Sequence, residues 1–393
     1  DGCFACPVSC RSRVKGPDIT PGVAFCAQSY MYLESMVHQP EKGYSKVTWQ
    51  AAKLGDLFGV NAYDLMAIIP WLGDCFREKL ISEEETGLPL KEAGSWDFIY
   101  KLLNKIANRE GIGNLLAEGG QRAAAKLGGK AEKLSQMYYP RAGKFAGYRE
   151  HWAYLGGFPT GYAVPQLALM WVLDNRDALV SHSFISALWG AAFTVGQNAL
   201  TAVPEKIIPV LKPVMKAAYG SEEAAEFVRP DGKGLNWKWA APVVKRYHEH
   251  SLMKDCYVLC DILFPYLFNA NSPDHVGDVT LESRIFSAVT GIDMSPEESY
   301  QKGEMLCTLE RALAARDGRS RKDDILYDIY FEKEDAGGRK YKREDLELAK
   351  SDYYQLMGWD VKTGTPTGPT LEKLGLKEVA EGLEKRGLLG GKS

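Results

Sequence analysis

Residues 43–80, GYSKVTWQAAKLGDLFGVNAYDLMAIIPWLGDCFREKL, decide the fold class. Leu54, Leu57, Phe58, Leu65, Ile68, Ile69 and Leu72 recur at helical spacing and make one apolar stripe, the pattern of a helix lying on a core. Pro70 is expected to kink or divide this helix, because it lacks an N–H and its ring crowds the preceding turn. The same period continues down the chain. Ser95 can cap a helix carrying Phe98, Ile99, Leu102, Leu103 and Ile106, and a second helix over 115–127 would close a helical hairpin at Gly128-Gly129. Helical patterns resume at 165–173, 184–200, 204–219, 237–252, 281–289, 296–315 and 343–356. Strand signals are few, so the expectation is a mainly α chain with two domains, 1–200 and 201–393.

Composition narrows the function. The 393 residues are 45% hydrophobic and 25% charged, which suffices for a sizeable core. Lys and Arg number 48 against 51 Asp and Glu, and their even spread leaves no footprint for nucleic acid or anionic lipid. No run approaches the roughly 20 apolar residues of a bilayer span, and the first residues do not read as a basic and then apolar leader, so a cytoplasmic location is expected. Asp1-Gly2-Cys3 starts inside a motif, as the later part of a longer polypeptide would. Residues 138–161 carry Arg141, Lys144, Arg149 and His151 among Gly, Tyr and Trp, and read as a long loop lining a cavity; the three cations suit an anionic substrate or a solvated surface equally. Residues 331–341 read as an exposed loop.

Eight cysteines stand at 3, 6, 10, 26, 75, 256, 260 and 307. Cys3, Cys6 and Cys10 form a C-x2-C-x3-C run, a spacing that lets three thiolates converge on one iron–sulfur cluster face from a single loop. A fourth soft ligand would come from Cys256 or Cys260. Zinc and a redox dithiol are the alternatives, although zinc usually pairs two CxxC knuckles and the second pair here is C-x3-C. The radical-initiating clusters that use S-adenosylmethionine carry the reverse order of spacings. Cys75 and Cys307 lie in apolar helical patterns and read as core residues.

On these residues the chain resembles the aldehyde ferredoxin oxidoreductase family of tungsten-pterin enzymes. Asp56-Leu57-Phe58-Gly59-Val60-Asn61 is similar to the first of that family's two D-x-x-G-L-(D/C) segments, and Asp255-Cys256-Tyr257-Val258-Leu259-Cys260 to the second, with Val258 in the glycine's place. The resemblance extends through residues 78–87 and 107–120, Ala288 to Gly291, Arg321-Lys322-Asp323-Asp324, Gly358-Trp359-Asp360 and Gly364 to Thr367, which is most of the chain. It implies the C-terminal helical domains of that fold, with the N-terminal pterin-binding β domain absent from this chain. It also implies a [4Fe–4S] cluster on Cys3, Cys6, Cys10 and Cys260 beside a tungsten or molybdenum bis-pterin contacted by Asp56, Gly59, Asn61, Asp255 and Leu259.

Two departures bear on the reaction. Where aldehyde-oxidising members have a glutamate in G-P-E-Y-E-T, this chain reads Pro21-Gly22-Val23-Ala24-Phe25-Cys26. Asn175-Arg176-Asp177 to Ser181-His182 stands where those members have S-N-R-G and histidine, and is closer to the branch of tungsten benzoyl-CoA reductases. Cys26 thereby becomes a candidate metal-ligating thiolate and His182 a candidate proton donor. Each has a plain structural reading as well: a buried free thiol, a satisfied structural histidine and, for Asp56 and Asp255, surface or capping carboxylates. The expected activity is two-electron redox of an aldehyde, an acid or an aromatic acyl-CoA, coupled to ferredoxin or an iron–sulfur electron-transfer subunit within an oligomer. The alternative is a cluster-bearing electron-transfer subunit without its own metal-pterin centre.

Overall fold

The protein is seen in a computed structural model that describes residues 11–16, 19–25, 46–138, 162–174, 182–197, 203–259 and 267–391. These fall into two compact units, residues 11–138 and residues 162–391. Both are helical apart from one hairpin among the described residues, as the apolar periodicity requires. The division lies near residue 139, not at residue 200: the segments over 162–197 pack into the core of the second unit.

In the first unit, β1 (Arg11–Gly16) and β2 (Ile19–Phe25) form an antiparallel hairpin that the sequence reading did not anticipate. Arg11 pairs with Phe25 and Val14 with Gly22, and the ladder becomes irregular between Val14 and Gly16, beside Pro21. Val14 is buried against Trp49, while Arg13, Lys15 and Val23 are exposed. Gly22 lies against the Trp49 ring, where a Cβ would crowd it, and Lys53 Nζ donates to the Val23 carbonyl at 2.9 Å. The hairpin is thus fastened to α1 (Lys46–Phe58).

The apolar stretch that opened the reading is divided, but not at Pro70. α1 stops at Phe58, and α2 (Ala62–Arg77) runs on through Pro70 without interruption. The break is at Gly59, whose φ of +65° ends the helix. Leu65, Ile68, Ile69 and Leu72 are buried as expected, whereas Leu57 is 77% exposed because the stripe of α1 turns away before its last turn. After the short α3 (Glu83–Thr86), Ser95 caps α4 (Trp96–Asn108) by accepting from the Phe98 amide. The five expected apolar side chains of α4 are buried, worth roughly 2 kcal/mol each as an upper figure. The second arm is two helices, α5 (Ile112–Leu116) and α6 (Gly120–Leu127), followed by α7 (Gly129–Ser135).

The second unit is built around α8 (Pro165–Leu173), all nine residues of which are buried. A helix apolar on every side can only be central. The unit continues with α9 (His182–Thr194), α10 (Pro204–Tyr219), α11 (Ala240–Cys256), α12 (Leu281–Thr290), α13 (Pro296–Arg316), the short α14 (Ile329–Glu332), α15 (Arg343–Leu356), α16 (Gly368–Lys373) and α17 (Lys377–Glu384); α11 and α15 lie directly against α8, and α17 against α13. α11 and α13 approach so closely at Gly303 that a Cβ there would overlap the Glu249 carbonyl. Residues 331–341 are largely exposed, as expected from their charge, but the segment is pinned at three buried points. Asp335, Arg339 and Tyr341 are buried, Tyr341 Oη bridges the N–H and C=O of Val164, and Asp335 accepts from the Ala163 amide.

Candidate functional site

The two motif copies end helices in the same way. At the end of α1 the Gly59 N–H donates to the Asp56 carbonyl at 3.1 Å and the Val60 N–H to the Gly55 carbonyl at 2.9 Å. At the end of α11 the Val258 N–H donates to the Asp255 carbonyl at 3.0 Å and the Leu259 N–H to the Lys254 carbonyl at 2.9 Å. Both are Schellman turns with aspartate two residues inside the cap and a left-handed residue just past it. Glycine reaches φ +65° at no steric cost, and a Cβ added to Gly59 would meet nothing within 4 Å. Val258 holds φ +58° with a β-branched side chain, at a cost of about 1–2 kcal/mol.

Asp56 and Asp255 are exposed, in keeping with carboxylates able to accept from a ligand's N–H groups. Asp56 also lies 3.5 Å from Lys53 Nζ, a solvated pair that contributes little to folding. Asn61 has a structural task, since its Oδ1 accepts from the Asp64 amide and opens α2. Asp64 in turn accepts from the Gly120 amide at 2.9 Å and ties α2 to the start of α6. Asp56, Gly59 and Asn61 therefore form one cluster in the first unit, and Asp255 and Leu259 another in the second.

Cys3, Cys6, Cys10, Cys26 and Cys260 lie outside the described residues, as do Arg141, Lys144, Arg149 and His151; His182 opens α9, but its side chain is outside them too. Cys256 is the last residue of α11 and is exposed, with burial and Asp255 raising its thiol pKa. Cys75 and Cys307 are core residues; burial, then the Asp74 charge, pushes the Cys75 thiol up to about 11. Among the described residues no group of three or more His, Cys, Asp or Glu side chains could hold a metal ion. Nor is any helix there long and apolar enough to cross a membrane.

Residues overlooked in the sequence fix the chain just ahead of Asn175. Asp174 Oδ1 lies 2.6 Å from His248 Nε2, and His248 Nδ1 lies 3.0 Å from Tyr353 Oη. Burial drives the Tyr353 pKa far upward, so its hydroxyl stays protonated beside the imidazole. Arg319 completes the anchor by donating to the carbonyls of Val172, Leu173 and Asp174, a cation at the carboxyl end of α8. A histidine isolated in sequence gives no sign of partners 74 and 105 residues away. A recess lined by Tyr219, Arg246, Tyr247, His250 and Tyr300 has water-sized space of about 10 Å³, room for a single water and no substrate.

The helical units and the paired motif ends define a recognisable class. Residues 1–154 and 197–376 match the family model described as aldehyde ferredoxin oxidoreductase, domains 2 and 3. That is well over half of the chain, and the chain belongs to this family. Tungsten-containing aldehyde ferredoxin oxidoreductases of Pyrococcus horikoshii and Pyrococcus abyssi are each 27% identical over 139 residues, covering 32% of this chain and 21% of theirs. The WOR-like subunit of an aliphatic sulfonate oxidoreductase of Pyrococcus furiosus is 29% identical over 130 residues, 32% of this chain and 20% of that one. The matched stretch spans about a fifth of these relatives. The active-site complex BamBC of benzoyl coenzyme A reductase, solved with 1,5-dienoyl-CoA, shares the fold at a TM-score of 0.65 and 18% identity, over 100% of this chain and 55% of that chain.

Proposed function

We propose that this chain is the helical, cluster-bearing part of a tungsten-pterin oxidoreductase acting on an aromatic acyl-CoA. The observation that carries the reading is the pair of matching helix ends, each offering an exposed aspartate beside a left-handed turn. Asp56 and Asp255 would accept from pterin N–H groups, with Gly59, Asn61 and Leu259 flanking them. Cys3, Cys6, Cys10 and Cys260 would hold a [4Fe–4S] cluster.

The metal, when bound, supplies two-electron exchange with the substrate. The chain's own residues do the rest. Cys26 would give a thiolate to the metal, and His182 would hold a proton for the reacting carbon. The Asp174–His248–Tyr353 network keeps the chain fixed immediately before residue 175. Single electrons would reach the cluster from ferredoxin or an iron–sulfur partner subunit. Acyl-CoA is favoured over aldehyde because Pro21 to Cys26 lacks the glutamate of the aldehyde-oxidising pattern, and because the structural neighbour was solved with a dienoyl-CoA. A tungsten or molybdenum content near one per chain, with iron near four, is expected on metal analysis. Iron without either metal would instead favour an electron-transfer subunit. Cys260→Ala should abolish the cluster's electron paramagnetic resonance signal and Cys256→Ala should not; the reverse pattern would overturn the ligand assignment.

A further inference from the structure

Tyr353, Tyr354 and Trp359 form a buried group of rings in the second unit. Trp359 lies 5.7 Å from the Tyr353 ring and 6.1 Å from the Tyr354 ring, centroid to centroid, and the two tyrosines are 6.3 Å apart. Packing accounts for these contacts, but not for how differently the two hydroxyls end. Tyr354 donates to Asp324, where the effect of burial is outweighed by Arg311 and Arg319 and the carboxyl is held below its ordinary range. Such a carboxylate is a poor proton acceptor. Tyr353 Oη instead meets an imidazole nitrogen, His248 Nδ1, at 3.0 Å, and the Asp174 carboxylate stands 2.6 Å from the other ring nitrogen. A carboxylate there favours the proton on Nε2 and leaves the Nδ1 lone pair facing the phenol. An easily oxidised phenol is thereby joined to a base within proton-transfer reach, sealed from water.

We propose that Tyr353 is a redox-active tyrosine, giving an electron to an oxidised Trp359 and its phenolic proton to His248 Nδ1, so that the ring group is a sink for oxidising radicals. Oxidation turns a phenol O–H into a strong acid, and the electron leaves readily only where the proton has somewhere to go. Atoms and charge balance within the protein. The Trp359 radical cation becomes neutral Trp359, Tyr353 becomes a neutral tyrosyl radical, and His248 becomes an imidazolium beside Asp174. The initiating oxidant is of the one-electron, oxygen-derived radical class and takes its electron from Trp359, directly or through other rings. A thiolate reductant then returns one electron to Tyr353 while the proton moves back from Nδ1. Neither neighbour has such a base: Tyr354 faces Asp324, and the Trp359 indole N–H lies 3.3 Å from the Thr308 hydroxyl. Tyr353 is therefore where the hole comes to rest, and this role is independent of the two-electron exchange at the metal.

The test is pulse radiolysis of the full chain with the azide radical, a one-electron oxidant of tryptophan, followed by optical absorption and freeze-quench electron paramagnetic resonance. In the wild type a tryptophan radical should give way to a tyrosyl radical coupled to an exchangeable, hydrogen-bonded proton, and heavy water should slow that step severalfold. Tyr353→Phe removes one oxygen atom and keeps the ring; it should lower the tyrosyl yield severalfold and prolong the tryptophan radical. His248→Gln keeps a polar partner but no base of imidazole strength, and should slow the transfer severalfold and remove most of the heavy-water effect. A wild-type tyrosyl yield in Tyr353→Phe would overturn the assignment. A yield lost in Tyr353→Phe, but with no heavy-water effect in the wild type or an unchanged rate in His248→Gln, would overturn the role of the imidazole. The heavy-water effect is read on the wild type, so that part of the test does not depend on the folding of a variant.

Discussion

Asp324 and Asp56 both fall in segments that resemble the same family, yet one is fully buried and the other is exposed. Asp324 accepts from Arg311 Nη1 and Nη2, from Arg319 Nε and from Tyr354 Oη, while Lys350 Nζ donates to its carbonyl. Burial alone would raise its pKa, but the two guanidinium groups and these donors bring it below the ordinary carboxylate range. Asp56 has solvent and a loose partner in Lys53. The difference teaches that likeness to a family mixes two kinds of residue. Arg311 through Asp324 and Gly364 build a keystone, since Arg311 Nε also donates to the Gly364 carbonyl. The helix-end aspartates face solvent, where an ion pair contributes little to folding.

The comparison breaks most visibly at its buried side. Asp324→Asn leaves two guanidinium groups short of a counter-charge and should cost about 3–5 kcal/mol in chemical denaturation. An Asp324→Asn protein as stable as wild type would show that the keystone is not one. The sign of its pH dependence follows from the lowered pKa: Asp324 stabilises fully above its unfolded value near 3.9 and loses that effect as pH falls through its folded value. The stability of the variant should therefore fall less steeply than wild type below about pH 4.

Gly303→Val should come next, at roughly 3 kcal/mol or more, because α11 and α13 would have to part at the Glu249 carbonyl. Thermal unfolding measures it, and a neutral result would mean that the helices slide apart freely. Tyr341→Phe removes the hydroxyl that satisfies both backbone groups of Val164, and about 1–2 kcal/mol should go with it. The exposed side of the comparison should show the smallest stability effect and the largest effect on cofactor. Asp56→Asn and Asp255→Asn should each stay within about 0.5 kcal/mol of wild type, while tungsten per chain falls at least severalfold. Unchanged tungsten with lost stability would reverse the roles assigned to the two kinds of aspartate.

Much of the helical layout was legible from the sequence because its signals are local. The bounds of α8, α10 and α15 match the periodicity, and the Ser95 cap and its five buried partners lie within one stretch of chain. The misreadings have equally physical causes. Pro70 forgoes the bond to the carbonyl four residues back, but the burial of Ile68, Ile69, Trp71 and Leu72 carries α2 across it, and Gly59 offers the turn eleven residues earlier. Within the largely exposed residues 331–341, Asp335 and Tyr341 are buried because they satisfy the backbone ahead of α8, a demand that comes from 172 and 177 residues away. In the same way the candidate site divides into motifs that spacing announces and an anchor, Asp174–His248–Tyr353, that it does not.

The sequence by itself determined the helical class, the cysteine run, the two D-x-x-(G/V) segments and the family they resemble. Periodicity and spacing act over a few residues, and a linear chain displays them. Tertiary structure alone decided that the two segments share one hydrogen-bonded turn, and that Asp324 is buried among cations where Asp56 faces solvent. It also revealed that Val258 bears a strained conformation while exposed. Those properties depend on φ angles, strand register and burial, which are set by contacts between residues far apart in the chain.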